Sequence, residues 1–500
     1  MRAHRYLAIA ALAVTGLFSG CAVGPDFKRP EAPGVDGYTR EPLPEKTALA
    51  EVPGGEEQKF LRDRDIPADW WTLFQSPQLN ALIEKALKAN PTVQAAQAAL
   101  RQAQELVYAQ QGYYYPTVEG SYARTRQRTS ASLSPALSSN DTLFNLHTAQ
   151  ITVGYAPDVF GGLRRQVESL QAQADSQRFL LEAAYLTLSS NVVAAAVQEA
   201  GLRSQIAAAR DIIAINAKSL ELLRRQFAAG LVAGLEVAAQ ESALAQAQLA
   251  LAPLQKQLEQ TRNQLAALAG RFPAEGSGEA FELTALRLPD ELPVSLPSRL
   301  VEQRPDVRAA EEQLHAASAE IGVATANMLP QFNITAVKGG VATEFSQMFA
   351  NGNPFWSVAG SVTQTIFAGG TLLHRKRAAE AAFDQAAAQY RSTVIGAFQN
   401  VADALYALQA DAEALKAGVN SERAAKVTLD LVTKQLQVGQ VNYLALLNAQ
   451  QMYQQAVINL AQARTNRYAD TAALFQALGG GWWNRKQAGA HPGLAREHSS

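Results

Sequence analysis

Asn90-Pro91-Thr92-Val93 and Arg304-Pro305-Asp306-Val307 begin two stretches of this chain that pass through the same landmarks in the same order. Tyr115-Pro116 follows the first opening after 25 residues, and Leu329-Pro330 follows the second at the same distance. Two more pairs of landmarks are Phe160-Gly161-Gly162 with Phe367-Ala368-Gly369-Gly370, and Arg225-Gln226-Phe227-Ala228-Ala229-Gly230 with Lys434-Gln435-Leu436-Gln437-Val438-Gly439. Such self-similarity predicts a tandem repeat of one structural unit. We place repeat 1 at 69–270, a linker at 271–300 and repeat 2 at 301–480.

The composition narrows the class of protein. Charged residues are 18% of the 500 and the formal net charge is -1, so no basic surface predicts binding to nucleic acid. The hydrophobic 48% is raised by alanine rather than by large side chains. Only one cysteine is present, so packing without disulfides must stabilise the fold.

The N-terminus has the pattern of a lipoprotein signal peptide at residues 1–20. Two arginines and a histidine at 2–5 precede an apolar run at 6–18, which is too short to span a bilayer, and Ser19-Gly20 leads to Cys21. We therefore expect a covalent lipid on Cys21 and no other cofactor. Ala22, rather than aspartate, follows the cysteine, and this resembles the bacterial sorting signals that favour the outer membrane.

Two segments lack the pattern of a packed core. Residues 22–57 contain six prolines and few large apolar side chains, so we expect 21–68 to be an extended tether on the exterior. Residues 481–500 have no periodicity, and we expect a mobile tail.

Long helices dominate both repeats. A short amphipathic helix at 79–87 and a helix at 91–111 come first. Residues 163–229 contain no proline and one glycine, which permits about 67 helical residues, and 371–438 is equally long. Apolar steps of three and four predict that each long helix returns as an antiparallel coiled-coil hairpin. In repeat 1 the expected seam is Ile206, Ala209, Ile213, Asn216, Leu220, Leu223 and Phe227 with Leu251, Leu254, Leu258, Thr261, Leu265 and Leu268.

Four segments alternate apolar with polar residues, as strands do. They lie at 117–128 and 146–156 in repeat 1 and at 331–338 and 355–366 in repeat 2. A tilted strand needs about 9 to 11 residues to cross an outer membrane. The intervening segments, 129–145 and 339–354, are rich in Ser, Asn and Gly and are expected to be hydrated loops.

Four strands cannot close a membrane barrel, because an open edge would leave backbone groups unpaired in hydrocarbon. Two chains would give about eight strands, whose interior side chains would fill, whereas three give twelve and a lumen. We therefore predict a mainly α protein with membrane β strands, in which a homotrimeric twelve-stranded β-barrel is continuous with a long periplasmic α-helical barrel.

The motifs resemble those of a known family. They are Cys21-Ala22-Val23-Gly24-Pro25-Asp26-Phe27 with Pro30, Trp70-Trp71, and the repeat landmarks given above. The chain is similar, over residues 21–480, to the TolC-like outer membrane efflux proteins, in the NodT-like lipoprotein branch. The resemblance implies a homotrimer in outer membrane lipid that serves as the passive exit channel of a tripartite efflux system for small molecules. Its implied partners are a periplasmic adaptor and an inner-membrane transporter of the proton-driven RND type.

In that family the helical tube narrows at the hairpin turns, where acidic side chains line the pore and arginine-to-carboxylate links hold it shut. Glu236 stands where the family carries a tip aspartate in repeat 1. Ala445 and Asn448 stand in the positions of the acidic ring of repeat 2, and Val441 replaces the linking arginine. The charge-based closure is therefore largely lost here. Glu236 is equally well explained as a solvated carboxylate at a helix start.

An apolar constriction by Leu444 and Leu447 is the expected replacement, because hydrophobic narrowings close by dewetting. The expected gate residues are Glu236, Leu444, Ala445, Leu447 and Asn448. The expected adaptor contacts are Gly230, Leu231, Val232, Gly234, Leu235, Gly439, Gln440, Val441 and Tyr443. The expected corners between strands and helices are Pro116, Gly161, Gly162, Pro330, Gly369 and Gly370.

An enzyme is the first competing class. Glu312 and His315 have the Glu-x-x-His spacing of a carboxylate di-iron site, which needs a second such pair and two further glutamates. The equivalent residues of repeat 1 are Ala98 and Arg101, so we expect a solvent-facing helix pair, no metal site and no catalytic residue.

Two other functions remain open. A lipid-anchored periplasmic coiled-coil scaffold would explain the signal peptide and the long helices but not the four strands. An outer-membrane duct for an ATP-driven type I protein exporter would have the same architecture, and composition does not distinguish drugs from peptides as cargo.

Overall fold

The computed structural model describes residues 22–130, 142–276 and 278–485. The expected signal peptide, the lipidation site Cys21 and the tail from 486 lie outside the described residues. The chain divides into two compact units. Unit 1 takes the described parts of 22–30, Ala99–Arg178 and Ala309–Arg391, and unit 2 takes Glu31–Ala98, Phe179–Arg308 and the described chain from Ser392.

Helices of matched length confirm the tandem repeat. The helices are α1 Pro77–Ala89, α2 Pro91–Gln111, α3 Gly162–Ala228, α4 Gly234–Leu268, α5 Pro297–Gln303, α6 Pro305–Ala326, α7 Thr371–Gln437 and α8 Tyr443–Ala477. The long helices α3 and α7 have 67 residues each, and the returning helices α4 and α8 have 35 each. At 1.5 Å per residue, α3 and α7 are each about 100 Å long.

The seam of the first hairpin packs as a small apolar cluster. Leu202 and Ile206 on α3 pack with Leu258 on α4, and Leu251 and Leu254 border them. The seam is shorter than expected at its far end. Leu220 and Leu223 are buried, but the side chain of Phe227 is 51% exposed.

Four antiparallel strands form one sheet, in which they pair in chain order. Their bounds are β2 Thr117–Arg128, β3 Leu143–Tyr155, β5 Gln331–Ala342 and β6 Pro354–Thr363. The loops are therefore shorter than the sequence suggested. The residue type of Gly339 predicts a loop, yet a Cβ at this position would lie 2.4 Å from the carbonyl oxygen of Ala149 on β3. Glycine at this position permits close strand pairing rather than a turn.

The register divides the sheet into two chemically different faces. Side chains alternate along each strand, and paired residues share a face. The apolar face carries Val118, Tyr122, Ile151, Val153, Ile334, Ala336, Val358 and Val362, and it also carries one lysine, Lys338. The polar face carries Thr117, Glu119, Ser121, Thr125, Thr148, Gln150, Thr152, Asn333, Thr335, Ser357 and Ser361. Within the described residues, β2 and β6 each pair on one side only.

A second, two-stranded sheet was not expected from the sequence. The short strand β1 (Lys59–Arg62) pairs in parallel with β4 (Glu291–Val294). The expected tether is therefore packed in its second half. Gln58 is fully buried, and its side-chain amide donates to the Pro289 carbonyl at 3.1 Å.

The start of the expected mobile tail is also packed. The Trp482 indole donates to the Gln303 carbonyl at 2.6 Å, and the Trp483 indole donates to Asp65 at 2.9 Å. Arg485 pairs with Glu182 at 2.8 Å. Residues 481–485 therefore belong to unit 2 as ordered structure.

Candidate functional site

The two hairpin turns have the same backbone geometry. Gly230 ends the first long helix with φ 71° and Gly439 ends the second with φ 74°, a left-handed conformation that glycine adopts at low cost. After Gly230, the amide of Leu231 donates to the Gln226 carbonyl at 2.9 Å. The amide of Gln440 donates in the same way to the Gln435 carbonyl at 2.9 Å. Both turns are Schellman motifs, which satisfy the last carbonyls of the long helices.

Large apolar side chains are exposed at the turns. Leu231 is 74% exposed and Leu235 is 78% exposed, and Leu444 is 60% exposed. Leu235 and Leu444 are both the second residue of a 35-residue returning helix, so they are repeat equivalents. We call these three residues the tip leucines. Of the other expected turn residues, Gly234 and Gln440 are exposed, and Val232 and Val441 are half-buried.

The expected pairing of Leu444 with Leu447 is wrong. Leu447 is only 7% exposed, because it lies on the side of α8 that packs within unit 2 together with Leu446 and Gln450. Asn448 is exposed and Ala445 is half-buried. Leu235 was expected only as an adaptor contact. It is exposed like its repeat equivalent Leu444, so an alignment of the two repeats would have identified it as a second gate residue.

Glu236 lies in the first turn of α4, as expected for a carboxylate near the positive end of a helix dipole. It is not fully solvated, however. Its Oε2 atom is shielded from solvent and has no hydrogen-bond partner among the described residues. The interpretation as a freely solvated carboxylate is therefore wrong.

A buried polar network joins the second turn to the first hairpin. The Tyr443 hydroxyl donates to the side-chain oxygen of Gln240, and burial raises the pKa of Tyr443 to about 12. Gln240 is fully buried and donates to the Asn216 carbonyl and side-chain oxygens, each at 2.9 Å. Tyr443, expected to contact an adaptor, is thus occupied within the chain.

The corners between strands and long helices depend on glycine. Gly161 has φ 74°, and Asp158 caps α3 by accepting hydrogen bonds from the amides of Leu163 and Arg164 at 2.9 Å each. In repeat 2, Gly369 and Gly370 both have positive φ.

Pro116 and Pro330 stand immediately before β2 and β5, and Gly162 begins α3. A cavity of about 620 Å³ opens at the first corner, lined in part by Tyr155, Phe160 and Phe332.

The segment after Cys21 is bound at this corner. Val23 donates its amide to the Phe160 carbonyl at 3.1 Å. The buried Arg165 donates to the Val23 carbonyl at 3.2 Å and pairs with Asp26 at 2.7 Å. A Cβ at Gly161 would lie 2.5 Å from that of Ala22, so no larger residue fits.

His315 belongs to the same contact, and the expectation of a solvent-facing Glu-x-x-His pair is wrong. Its ring stacks on Phe27 with 4.4 Å between centroids, and its nitrogens lie 3.3 Å from Glu312 and 3.0 Å from Glu168. Hydrogen bonds to Glu312 and then Glu168 raise the pKa of His315 above its ordinary value. By stacking on Phe27, the His315 ring therefore helps to hold the N-terminal segment. Sequence spacing did not reveal this role because Phe27 and Glu168 are remote in the chain.

Comparison with known proteins accounts for these features together. A sequence model described as outer membrane efflux protein matches residues 82–271 and 296–480, one block for each repeat. The probable efflux pump outer membrane protein SepC of Pseudomonas putida is 28% identical over 97% of this chain and 98% of its own length. The pyoverdine export outer membrane protein OpmQ of Pseudomonas aeruginosa is 30% identical over 86% of this chain and 89% of its own.

Solved structures agree in fold. The open state of the MtrE outer membrane channel of Neisseria gonorrhoeae superposes with a TM-score of 0.78 at 25% identity, covering 92% of this chain and 99% of that one. With the family match spanning most of the sequence, the chain belongs to the outer membrane efflux protein family.

Proposed function

We propose that three copies of this chain form the exit channel of a tripartite efflux system, which conducts small molecules passively across the outer membrane. The observation that carries the proposal is the four-stranded sheet. One of its faces is mainly apolar, and the outer edges of β2 and β6 are unpaired within the described residues. In lipid each unpaired backbone group costs several kcal/mol, so the edges must find partners. β6 of one copy and β2 of the next would pair and complete a twelve-stranded barrel.

The two hairpins supply the periplasmic part of the proposed channel. Each chain contributes two helices about 100 Å long and two returning helices, so three chains would surround a duct with twelve helices. We infer no catalytic chemistry, because conduction through such a duct needs only an open passage.

Lipidation of Cys21 is part of the proposal. Arg165 and Phe160 hold the residues directly after Cys21 at the base of the strands, where an acyl chain would enter the membrane beside the sheet. The anchored segment would then fix the depth of the barrel. The lipid on Cys21 is the only covalent group that we propose.

The turns are the proposed gate and adaptor site. Exposed apolar side chains at both turns support closure by the tip leucines, and Glu236 lies next to Leu235 in the first turn of α4. The adaptor would contact the segments 230–235 and 439–443. We propose an RND-type transporter as the inner-membrane partner.

The relatives' names support small molecules as the cargo. They describe export of pyoverdine by OpmQ, and of toluene by TtgF of Pseudomonas putida. We infer a small-molecule cargo on this ground rather than a secreted protein.

The test is drug resistance in a host that lacks its own outer-membrane efflux channel but carries an adaptor and an RND-type pump. The chain should raise the minimum inhibitory concentration of pump substrates several-fold. A variant with Gly439→Val at the left-handed turn should be weaker, and a pump-inactive host serves as the control. Resistance that does not depend on the pump would contradict the proposal.

A further inference from the structure

Three arginines extend one face of the edge strand β2 beyond its apolar part. Alternation along the strand places Arg124, Arg126 and Arg128 on the same face as Val118 and Tyr122. All three arginines are exposed, and none forms an ion pair with a residue in the described ranges. They lie at the loop end of the strand, away from the helices. The only acidic residue of β2, Glu119, is on the opposite, polar face.

Aromatic residues mark the boundary between the apolar part and the arginines. Tyr122 contacts His147 through a 2.8 Å hydrogen bond and packs edge-to-face on Phe345 at 5.8 Å. His147 is the register partner of Arg124 on β3. Trp356 on β6, which is 76% exposed, is on the same face, where it pairs with Lys338 on β5. Aromatic side chains concentrate at the membrane–water interface of outer-membrane barrels.

We propose that Arg124, Arg126 and Arg128 form a binding site for the phosphorylated headgroup of an outer-leaflet lipid. The proposal rests on the proposed function, because the apolar face must face lipid for these arginines to reach the headgroup layer. A lipid-facing arginine lowers the stability of a barrel by several kcal/mol near the bilayer centre but by little at the interface. The positions of the three arginines therefore place the interface just beyond Tyr122.

Charge and spacing favour phosphate over other groups. Successive arginines on one face of a strand are about 7 Å apart. The guanidinium fork donates two parallel hydrogen bonds to phosphate, so three forks in a row suit a headgroup with more than one phosphate. The absence of a carboxylate partner within the described residues leaves their charges available. A lipid supplies both the phosphates and acyl chains for the apolar face below.

The experiment uses the full chain as a detergent-purified trimer placed in nanodiscs of neutral phosphatidylcholine. Lipid A carrying two phosphates, or its dephosphorylated form, is titrated in, and bound lipid is counted by native mass spectrometry. The wild type should prefer the phosphorylated form. The variant with Arg124→Gln, Arg126→Gln and Arg128→Gln should bind that form on the order of 100-fold more weakly, since each basic residue at a membrane surface contributes about one tenfold step or slightly less.

Two control variants separate the site from overall charge. Arg210→Gln, Lys218→Gln and Lys256→Gln together remove the same charge from exposed positions of α3 and α4 and should leave the preference unchanged. Changing the three arginines to lysine should give an intermediate affinity, because charge is kept and the fork is lost.

The outcomes distinguish this proposal from the channel itself. A conducting wild-type trimer with no preference for phosphorylated lipid A would overturn the site and leave the channel standing. Displacement of the lipid by an equal concentration of inorganic phosphate would also overturn it. If the glutamine variant lost the trimer but kept the lipid preference, the arginines would be subunit contacts instead. A wild type that neither trimerises nor conducts would refute the proposed function.

Discussion

The two hairpin turns have the same backbone geometry but differ in the hydrogen bonds that their side chains form. Both end a long helix in a Schellman motif at a left-handed glycine. The second turn is secured further, because Asn442 caps α8 at 3.1 Å and Tyr443 bonds to Gln240. The first turn has Ala233 and Gly234 at the equivalent positions, and Ala233 makes no side-chain cap. Both repeats therefore have the same turn geometry, but these side-chain hydrogen bonds are found at the second turn.

This difference has a consequence for gating. A turn with fewer side-chain hydrogen bonds has a lower free energy of local opening than an equivalent turn with more of them. We therefore expect the first turn, with its exposed Leu231 and Leu235, to be the more mobile part of the gate. The second turn would act as the fixed part.

The largest expected effect comes from removing the apolar closure at both turns together. Leu235→Ser with Leu444→Ser should raise the conductance of channels in a planar bilayer several-fold, because a polar constriction stays hydrated. Leu235→Ser alone should exceed Leu444→Ser alone if the first turn is the mobile part.

Leu249→Ser is the matched control for this pair. Leu249 is 75% exposed on α4 but lies away from the turn. An equal rise in conductance with Leu249→Ser, or no rise with the double change, would place the gate elsewhere.

One substitution can remove the hydrogen bond between Tyr443 and Gln240 at the second turn. Tyr443→Phe deletes the hydroxyl and leaves the buried Gln240 oxygen unpaired, which should cost about 1–2 kcal/mol of local stability. Hydrogen–deuterium exchange should become faster at residues 440–445. Tyr406→Phe, at a hydroxyl on an exposed ring, is the control and should change nothing. An unchanged exchange rate in Tyr443→Phe would show that this hydrogen-bond network does not stabilise the second turn.

Capping residues can be exchanged between the two turns. Asn442→Ala should cost about 1 kcal/mol at the start of α8, and Ala233→Asn should stabilise the start of α4 by up to the same amount. Exchange rates of the two turns should then converge in the double variant. If they stay as different as in the wild type, capping does not explain the contrast.

The smallest expected effect is a pH dependence confined to the second hairpin. Asp411 on α7 faces Asp470 on α8, and burial followed by the Asp470 hydrogen bond raises the pKa of Asp411 to about 7. The equivalent positions of repeat 1 are Leu202 and Thr261, which do not titrate. Because the folded chain holds the proton more tightly, stability is fully present below the ordinary aspartate pKa of about 3.9 and is lost as pH rises to 7.

Since Asp411 is only partly buried, we expect solvent to limit the loss to about 1 kcal/mol. Exchange at the second hairpin should accelerate between pH 5 and pH 8, after correction for the intrinsic rate, and the first hairpin should not change. Asp411→Asn should abolish the difference. A pH response of equal size in both hairpins would contradict this assignment.

Sequence alone was sufficient where structure is set locally. The 67-residue helices followed from an absence of helix-breaking residues, and the turns followed from Gly230 and Gly439. The four strands followed from their alternation. Their ends were less accurate, because glycines such as Gly339 serve close strand pairing as well as loops.

Features that depend on distant residues were missed. The strands β1 and β4 are four residues each and pair across more than 200 residues of sequence, so neither carries a local signal. The burial of Leu447 and the stacking of Phe27 on His315 depend in the same way on which helices pack together. The site was therefore predicted in its backbone and only partly in its side chains.

The most direct test of the proposed channel is a combined measurement of particle mass and current on purified protein in lipid. We expect three chains in each particle, and a steady ionic current when the particles are fused to a planar bilayer. Particles that contain a single chain and pass no current would contradict a shared twelve-stranded barrel.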